Sequence, residues 1–390
     1  MKPKVLYIAD CNPEVKSGHG NMIKMHHKII CEIFSSEVYT FFCNGDLKSY
    51  DGEKTWVIPN NGTIGKFFSV MSGLPAYLSL SAERLIFKTL REYEFSYVYI
   101  DNSISGKIIK KIKKKYKNIK VVVYFPDIEQ DLMKKQIEYA RLYRKISLKQ
   151  MINNEKLTAK YSDYNIVLNE RDKNLFNKYY KTKPNAVIPI VVPYYEKIQS
   201  SKRHLPKQKL EILFLGVDYK PNVDGINWLI KNVLPLVSVD YHVSIVGYNM
   251  ERYRSNWECN GNVSVIGTVD SVMQYYLNSD AVIAPISDGG GMKVKTAEAF
   301  EFGKIFIGLP ESLEGYWEEI PENLKNKYIF RVDNAIDFAE KINCLSNITF
   351  FKVNDAIRQW MKQKYSYEAV LRQYKRIFIT DKNSLEENNA

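Results

Sequence analysis

A chain of 390 residues, 45% hydrophobic and 26% charged with 19 Gly and 14 Pro, is long enough for two α/β domains with a core each. Its composition excludes low-complexity disorder. The net charge of +12 is unevenly placed, with 33 Lys and Arg against 20 Asp and Glu in residues 1–200 and 23 against 24 in residues 201–390. The basic first half favours anionic partners such as a phospholipid surface, a lipid-linked phosphate or nucleic acid, unless its lysines only reflect a biased codon pool.

Five cysteines (Cys11, Cys31, Cys43, Cys259 and Cys344) are odd in number and scattered. This argues against a disulfide framework and a zinc site and fits a reducing cytoplasm. The amino end enters a β-like run without a signal-peptide pattern, and no segment approaches the roughly 18 consecutive apolar residues of a membrane span. A cytoplasmic protein is expected.

In chain order, runs rich in Val, Ile, Tyr and Phe fall at residues 5–9, 38–43, 97–100, 120–125, 165–168 and 186–192, then at 211–215, 242–246, 263–266, 281–286, 305–309 and 328–332. Continuous rather than alternating apolar runs suit parallel strands covered on both faces by helices. Twelve of them predict two doubly wound sheets. The polar, aperiodic stretch 199–209 reads as the linker. Beyond it, Asn222 or Asp224 can cap a helix bearing Ile226, Leu229, Ile230 and Val233 and ending at Pro235. Residues 367–379 again show helical spacing, and 381–390 read as a polar, frayed tail.

The most informative segment is 281–298, where a buried strand runs into Gly289, Gly290, Gly291 and Met292 and then into a helix carrying Lys295 and Glu298. Glycines after a strand let backbone N–H groups approach a ligand, and the helix amino end adds positive potential, so the pair suits a diphosphate. Lys295 can add a full charge. Glu298, three residues on, shares nearly the same helical face and can accept hydrogen bonds from the hydroxyls of a ribose. A tight turn opening a solvated helix is the plainer alternative.

In the first half, residues 10–20 form a loop after the first strand with Gly18, His19 and Gly20, whose spacing is not that of a dinucleotide fingerprint. Asp127 and Glu129 follow the strand 120–125, at the carboxyl end where α/β sheets bind ligands. They are candidates for acceptor positioning or general-base help, or Asp127 only caps the next helix. Residues 107–120 contain eight lysines interleaved with isoleucines. The neighbouring apolar segment 64–78, broken by Gly73 and Pro75, either dips into a bilayer interface or packs on the core.

The run 289–308 resembles the donor-site signature of the group 1 family of GT-B glycosyltransferases, as used in bacterial surface polysaccharide synthesis. Residues 214–225 are similar to that family's entry into its C-terminal domain, and 163–172 to the close of its N-terminal domain. The resemblance implies a GT-B architecture, two Rossmann-like domains facing a central cleft. Residues 1–200 would bind acceptor and 208–362 the nucleotide sugar, with a final helix near 365–380 packing back on the first domain. It implies transfer of a sugar from a nucleoside diphosphate to a glycan or lipid-linked glycan, with retention, without a metal or other cofactor and without nucleic acid, at the inner face of the cytoplasmic membrane. Gly18, Gly20, Gly289, Gly290, Gly291, Met292, Lys295 and Glu298 would hold the donor, with His19, Asp127 and Glu129 as the catalytic candidates.

There are departures. Gly290 stands where many members carry a first glutamate, eight positions before Glu298. Val217 stands where many have Arg, for which Lys220 is a substitute, and Pro126 where similar enzymes often have His. Two other functions stay open. A sugar-nucleotide epimerase of the same two-domain fold needs several acidic and His groups, and none of the five histidines is near the glycine loop. A basic, non-catalytic nucleic-acid binder lacks a recognisable groove-reading element.

Overall fold

The computed structural model describes residues 3–14, 18–43, 54–60, 62–137, 141–196, 198, 209–258, 261–289, 291–345 and 353–387. The chain divides into two compact units, one of residues 1–191 with 370–390 and the other of residues 192–369.

The first unit alternates strand and helix: β1 (Val5–Ala9), α1 (Gly18–Phe34), β2 (Val38–Cys43), β3 (Thr55–Ile58), α2 (Gly62–Met71), α3 (Leu80–Glu92), β4 (Tyr97–Asp101), α4 (Gly106–Lys115), β5 (Lys120–Phe125), α5 (Glu129–Ile137), α6 (Leu142–Tyr161), β6 (Tyr164–Val167), α7 (Glu170–Tyr180) and β7 (Ala186–Val187). Every strand pairing is parallel, in the order β3-β2-β1-β4-β5-β6-β7. The order reverses between β1 and β4, which makes their carboxyl ends the switch point of the sheet.

The strands read as continuous apolar runs because both faces are covered: every residue of β1, β2 and β4 is buried. In α4 the isoleucines 108, 109 and 112 are buried, so the lysine-rich segment is an amphipathic helix with its charges outward. Gly106 opens it where a Cβ would stand 2.0 Å from the Asn154 carbonyl oxygen, which lets α4 and α6 pack closely. Beneath the switch point the core is polar and aromatic. His26 Nδ1 lies 2.9 Å from Asp101 Oδ1, the Tyr7 hydroxyl donates to Asp101 Oδ2 at 2.7 Å, and Tyr7 stacks on Tyr99 at 5.4 Å. His26 and Asp101 are fully buried.

The second unit contains β8 (Leu210–Leu215), α8 (Lys220–Trp228), β9 (Tyr241–Val246), α9 (Arg254–Trp257), β10 (Val263–Gly267), α10 (Met273–Asn278), β11 (Ala281–Ala284), α11 (Val294–Glu301), β12 (Ile305–Gly308), β13 (Ile329–Arg331), α12 (Ala335–Leu345) and α13 (Asp355–Tyr365). Its sheet is also parallel throughout, in the order β10-β9-β8-β11-β12-β13, with the switch point between β8 and β11. The last helix, α14 (Tyr367–Glu387), belongs to the first unit from Val370 onward. There Tyr374 reaches the Tyr99 hydroxyl at 2.9 Å and Phe378 packs edge-on to Phe34 and Tyr97.

Thirteen strands are present among the described residues, against twelve expected. β3 is an edge strand in which only Ile58 is buried, so it lacks the continuous apolar run of the inner strands. The strand expected over 186–192 stops at Val187, because Pro189 has no amide to continue the ladder. The one expected over 281–286 stops before Pro285 for the same reason. Neither Asn222 nor Asp224 caps the helix that follows β8: α8 starts at Lys220 with Pro221 in its first turn, a position that suits proline. The segment expected to fray after residue 381 is helical to Glu387.

Candidate functional site

In the second unit the glycine loop after β11 meets the amino end of α11 at the switch point. Gly289 and Gly291 have φ of 131° and 67°, values that L side chains avoid, so the turn needs glycine at both. Gly290 lies outside the described residues. Lys293 occupies the N-cap position of α11 without a side-chain capping hydrogen bond, and Met292 is half-buried beside it.

Lys295 lies in the first turn of α11. Its Nζ donates to Asn222 Oδ1 at 2.5 Å and sits 4.7 Å from the centre of the Phe214 ring. Burial, then the nearby Lys293 charge, pushes its pKa down to about 7, with Glu298 pulling the other way. Glu298 follows one turn on and accepts a hydrogen bond from the Tyr276 hydroxyl at 3.1 Å. Burial raises its pKa, partly offset by Tyr276 and Lys295. Both groups are thus desolvated and held ready by neutral partners, the state in which a charged ligand gains most. Lys220 instead points into solvent, paired with Asp224 one turn along α8.

In the first unit, Gly18, His19 and Gly20 form the first turn of α1. His19 Nε2 meets Asp10 Oδ1 at 2.7 Å, and Asn102, just after β4, donates to the other Asp10 oxygen at 2.7 Å. Burial works against a charge on His19, but Asp10 and Cys11 outweigh it and lift its pKa to about 11. At neutral pH His19 is therefore a fixed cation and hydrogen-bond donor, not a base.

Asp127 and Glu129 follow β5. The amides of Glu129 and Gln130 donate to the Glu155 carboxylate at 2.9 and 2.7 Å, so the start of α5 is capped from α6. Burial, then the charges of Glu155, Asp127 and Asp10, raise Glu129 to about 8, with His19 opposing. It is mostly protonated at neutral pH. His19, Asp10 and Glu129 are thereby electrostatic neighbours at the carboxyl ends of β1, β4 and β5.

Asp10, Cys11 and His19 place one ligand atom each within 4.8 Å of one another, the one such group among the described residues. In it the Asp10–His19 contact is a closed hydrogen bond. The described cysteines, Cys11, Cys31, Cys43 and Cys344, are all unbridged. A depression of about 910 Å³ lined by Lys4, Arg91, Lys114 and Lys115 lies at the opposite, amino-terminal ends of β1, β4 and β5, away from the switch point.

Of the groups around these sites, Phe214, Asn222, Tyr276, Asn102 and Glu311 carry no local signal of a site. They come from other elements and meet the loops only in the fold. The cation after the glycines and the strand–Gly loop–helix order were the readable part.

Two parallel, doubly wound units, each with polar groups gathered at its switch point, define the GT-B fold. Residues 209–347 match the family model described as Glycosyl transferases group 1. No curated protein matches the chain in sequence. Solved structures similar to the whole chain include sucrose-phosphate synthase from Thermosynechococcus elongatus, with TM-score 0.67 and 13% identity over 98% of this chain and 100% of that one. The lipopolysaccharide outer core galactosyltransferase WaaB in its apo form gives 0.63 and 13% over 97% and 99%. Anabaena HepE in complex with UDP gives 0.61 and 12% over 97% and 100%, and its UDP-glucose complex 0.59 and 12% over 96% and 99%. At these identities the likeness is one of fold.

Proposed function

We propose that the chain is a glycosyltransferase that moves a sugar from a nucleoside-diphosphate sugar to a glycan or lipid-linked glycan acceptor. The observation that carries this reading is the run from Gly289 to Glu298 at the switch point of the second unit. There a backbone loop, a desolvated Lys295 and a carboxylate one turn on meet the needs of a diphosphate and a ribose. The group 1 match covers the same residues, and HepE, of similar fold, takes UDP and UDP-glucose.

In this reading the loop amides, with Gly290 among them, and Lys295 stabilise the negative charge that develops on the leaving diphosphate. Glu298 holds the ribose, and Lys220, exposed beside the same strand ends, is at most an auxiliary cation. The first unit takes the acceptor. His19, with Gly18 and Gly20 in its turn, supplies a fixed positive charge, while the mostly protonated Glu129 positions the acceptor hydroxyl and Asp127 handles its proton. Retention at the anomeric carbon and independence of metal follow from the family resemblance, as does a role in surface polysaccharide assembly at the inner face of the membrane.

No helix among the described residues is long and apolar enough to cross a membrane. Yet α2 exposes Ile64 (75%), Phe67 (44%), Phe68 (57%) and Met71 (65%), and Lys107 of α4 donates to the Ser72 carbonyl just past its end. An exposed apolar face beside a lysine-rich helix suits a peripheral contact with an anionic bilayer.

Thermal unfolding against a panel of UDP-, GDP-, ADP- and CMP-sugars tests the donor site. A ligand at a hundred times its dissociation constant adds about 2.7 kcal/mol of stability. One sugar nucleotide is expected to raise the melting temperature of the wild type and to do so far less in Glu298→Ala. No shift with any of them would remove the reading.

A further inference from the structure

The two lysines beside the glycine loop are held differently. Lys295 turns toward α8, where its hydrogen-bond partner is the neutral Asn222 amide. Lys293 turns toward the loop after β12 and donates to Glu311 Oε1 at 2.7 Å and to the Gly291 carbonyl at 2.8 Å. Glu311 lies in the short turn Pro310–Leu313. That turn is pinned to α11 by the Thr296 hydroxyl, which donates to the Ser312 carbonyl at 2.7 Å, and by the Tyr316 hydroxyl, which donates to the Lys293 carbonyl at 3.1 Å. Lys293 and Glu311 side chains are only 14% and 21% exposed, so the pair is fixed rather than waving in solvent. A Cβ placed on Gly289 would stand 3.6 Å from Lys293 Nζ and 3.9 Å from Glu311 Oε1, so both members of the pair stand at the mouth of the loop.

The loop therefore has two electrically different sides. Toward β8 a cation faces a neutral group and is available to an anion. Toward β12 the cation is matched and a carboxylate oxygen stands at the edge. A diphosphate belongs on the first side. The group attached beyond it meets Glu311, which accepts hydrogen bonds from neutral hydroxyls and repels a further phosphate.

We propose that Glu311, clamped by Lys293, is a specificity-determining residue that makes this site prefer a nucleoside-diphosphate sugar to the corresponding nucleoside triphosphate. This rests on the reading of the second unit as a nucleotide-sugar site. Because triphosphates share the base, ribose and diphosphate, rejection of the extra phosphate has to come from a group beyond the diphosphate, and in this reading Glu311, on the β12 side of the loop, is that group.

The test is calorimetric titration of UDP-glucose, UDP and UTP, and in parallel GDP-mannose, GDP and GTP, into the wild type, Glu311→Gln and Glu311→Asp. Glu311→Gln keeps the shape and can still accept from Lys293. Glu311→Asp keeps the charge and guards against a loss caused by packing alone. For the base that binds, the wild type is expected to favour the sugar nucleotide over the triphosphate. Glu311→Gln is expected to cut that preference about tenfold or more, mainly by tightening the triphosphate, and Glu311→Asp to retain most of it. A preference unchanged within twofold in Glu311→Gln, or a wild type that binds triphosphate as tightly as sugar nucleotide, overturns the role of Glu311 while leaving the nucleotide site standing. If no diphosphate or sugar nucleotide binds the wild type, the site reading falls and this inference with it.

Discussion

The two units share a backbone plan and differ in what they put on it. Each is a parallel sheet whose order reverses once, between β1 and β4 in one and between β8 and β11 in the other, and each gathers polar groups at that reversal. In the second unit those groups are backbone amides on glycines, the desolvated Lys295 and Glu298, and the Lys293–Glu311 ion pair. In the first they are a His–Asp pair and two further acids over a polar core built on Tyr7, His26, Tyr99 and Asp101. On the proposed reading, the sheet topology sets where a ligand goes, and the side chains supplied after each strand set whether the place binds an anion or moves a proton. Donor affinity should then depend on the second unit and turnover on the first.

The largest effect is expected in the polar core of the first unit. His26→Ala removes a buried ring and one of the two side chains bonded to Asp101, the other being Tyr7, and the cavity and lost hydrogen bond together should cost about 3–5 kcal/mol of stability, seen as a lower urea midpoint. A cost under 1 kcal/mol would mean that the pair does not organise this core. Lys295→Met should act in the opposite manner. Removing a desolvated charge leaves stability unchanged or raised, while donor affinity falls by about 1.5–3 kcal/mol, the usual worth of a hydrogen bond to a charged group. Equal losses of stability and affinity would make Lys295 a structural residue.

Acidity separates the units further. With the Lys295 pKa held down to about 7, the charged form that a diphosphate needs is present below that pH and is lost above it. Donor affinity should weaken by up to about tenfold per pH unit above 7, and Lys295→Arg should flatten the dependence. The unliganded protein shows the reverse sign. The unfolded chain keeps the proton to higher pH, so this lysine makes stability rise with pH above 7. Glu129, raised to about 8, should give a falling limb of kcat near pH 8 at saturating donor, absent in Glu129→Gln. The smallest effect is expected at the surface: Phe67→Ser with Phe68→Ser should reduce retention on anionic vesicles several-fold and leave donor binding alone.

How much of this could be read from the chain differs between the units for a physical reason. The second site lies mainly on one continuous stretch, so glycines, lysine and glutamate appear at fixed offsets along a loop and one helix turn. Its walls, Asn222 from α8, Tyr276 from α10 and Glu311 after β12, have no such offset and emerge only when the strands align. The first site draws on three loops, at Asp10–His19, Asn102 and Asp127–Glu129. Single acids and one histidine were visible there, but not that His19 is clamped by Asp10 or that Glu155 rather than Asp127 holds the amides at the start of α5. The strands were legible wherever both faces are covered. They were misjudged where a proline cut the ladder, at Pro189 and Pro285, or at the edge strand β3, which is mostly not buried.

The most direct test of this division is one titration series. The sugar nucleotide that stabilises the wild type is titrated into Lys295→Met and into Glu129→Gln under identical conditions. The division predicts a donor dissociation constant at least tenfold weaker in Lys295→Met and within twofold of wild type in Glu129→Gln. Equal weakening in both, or weakening in Glu129→Gln alone, would contradict a donor site carried by the second unit.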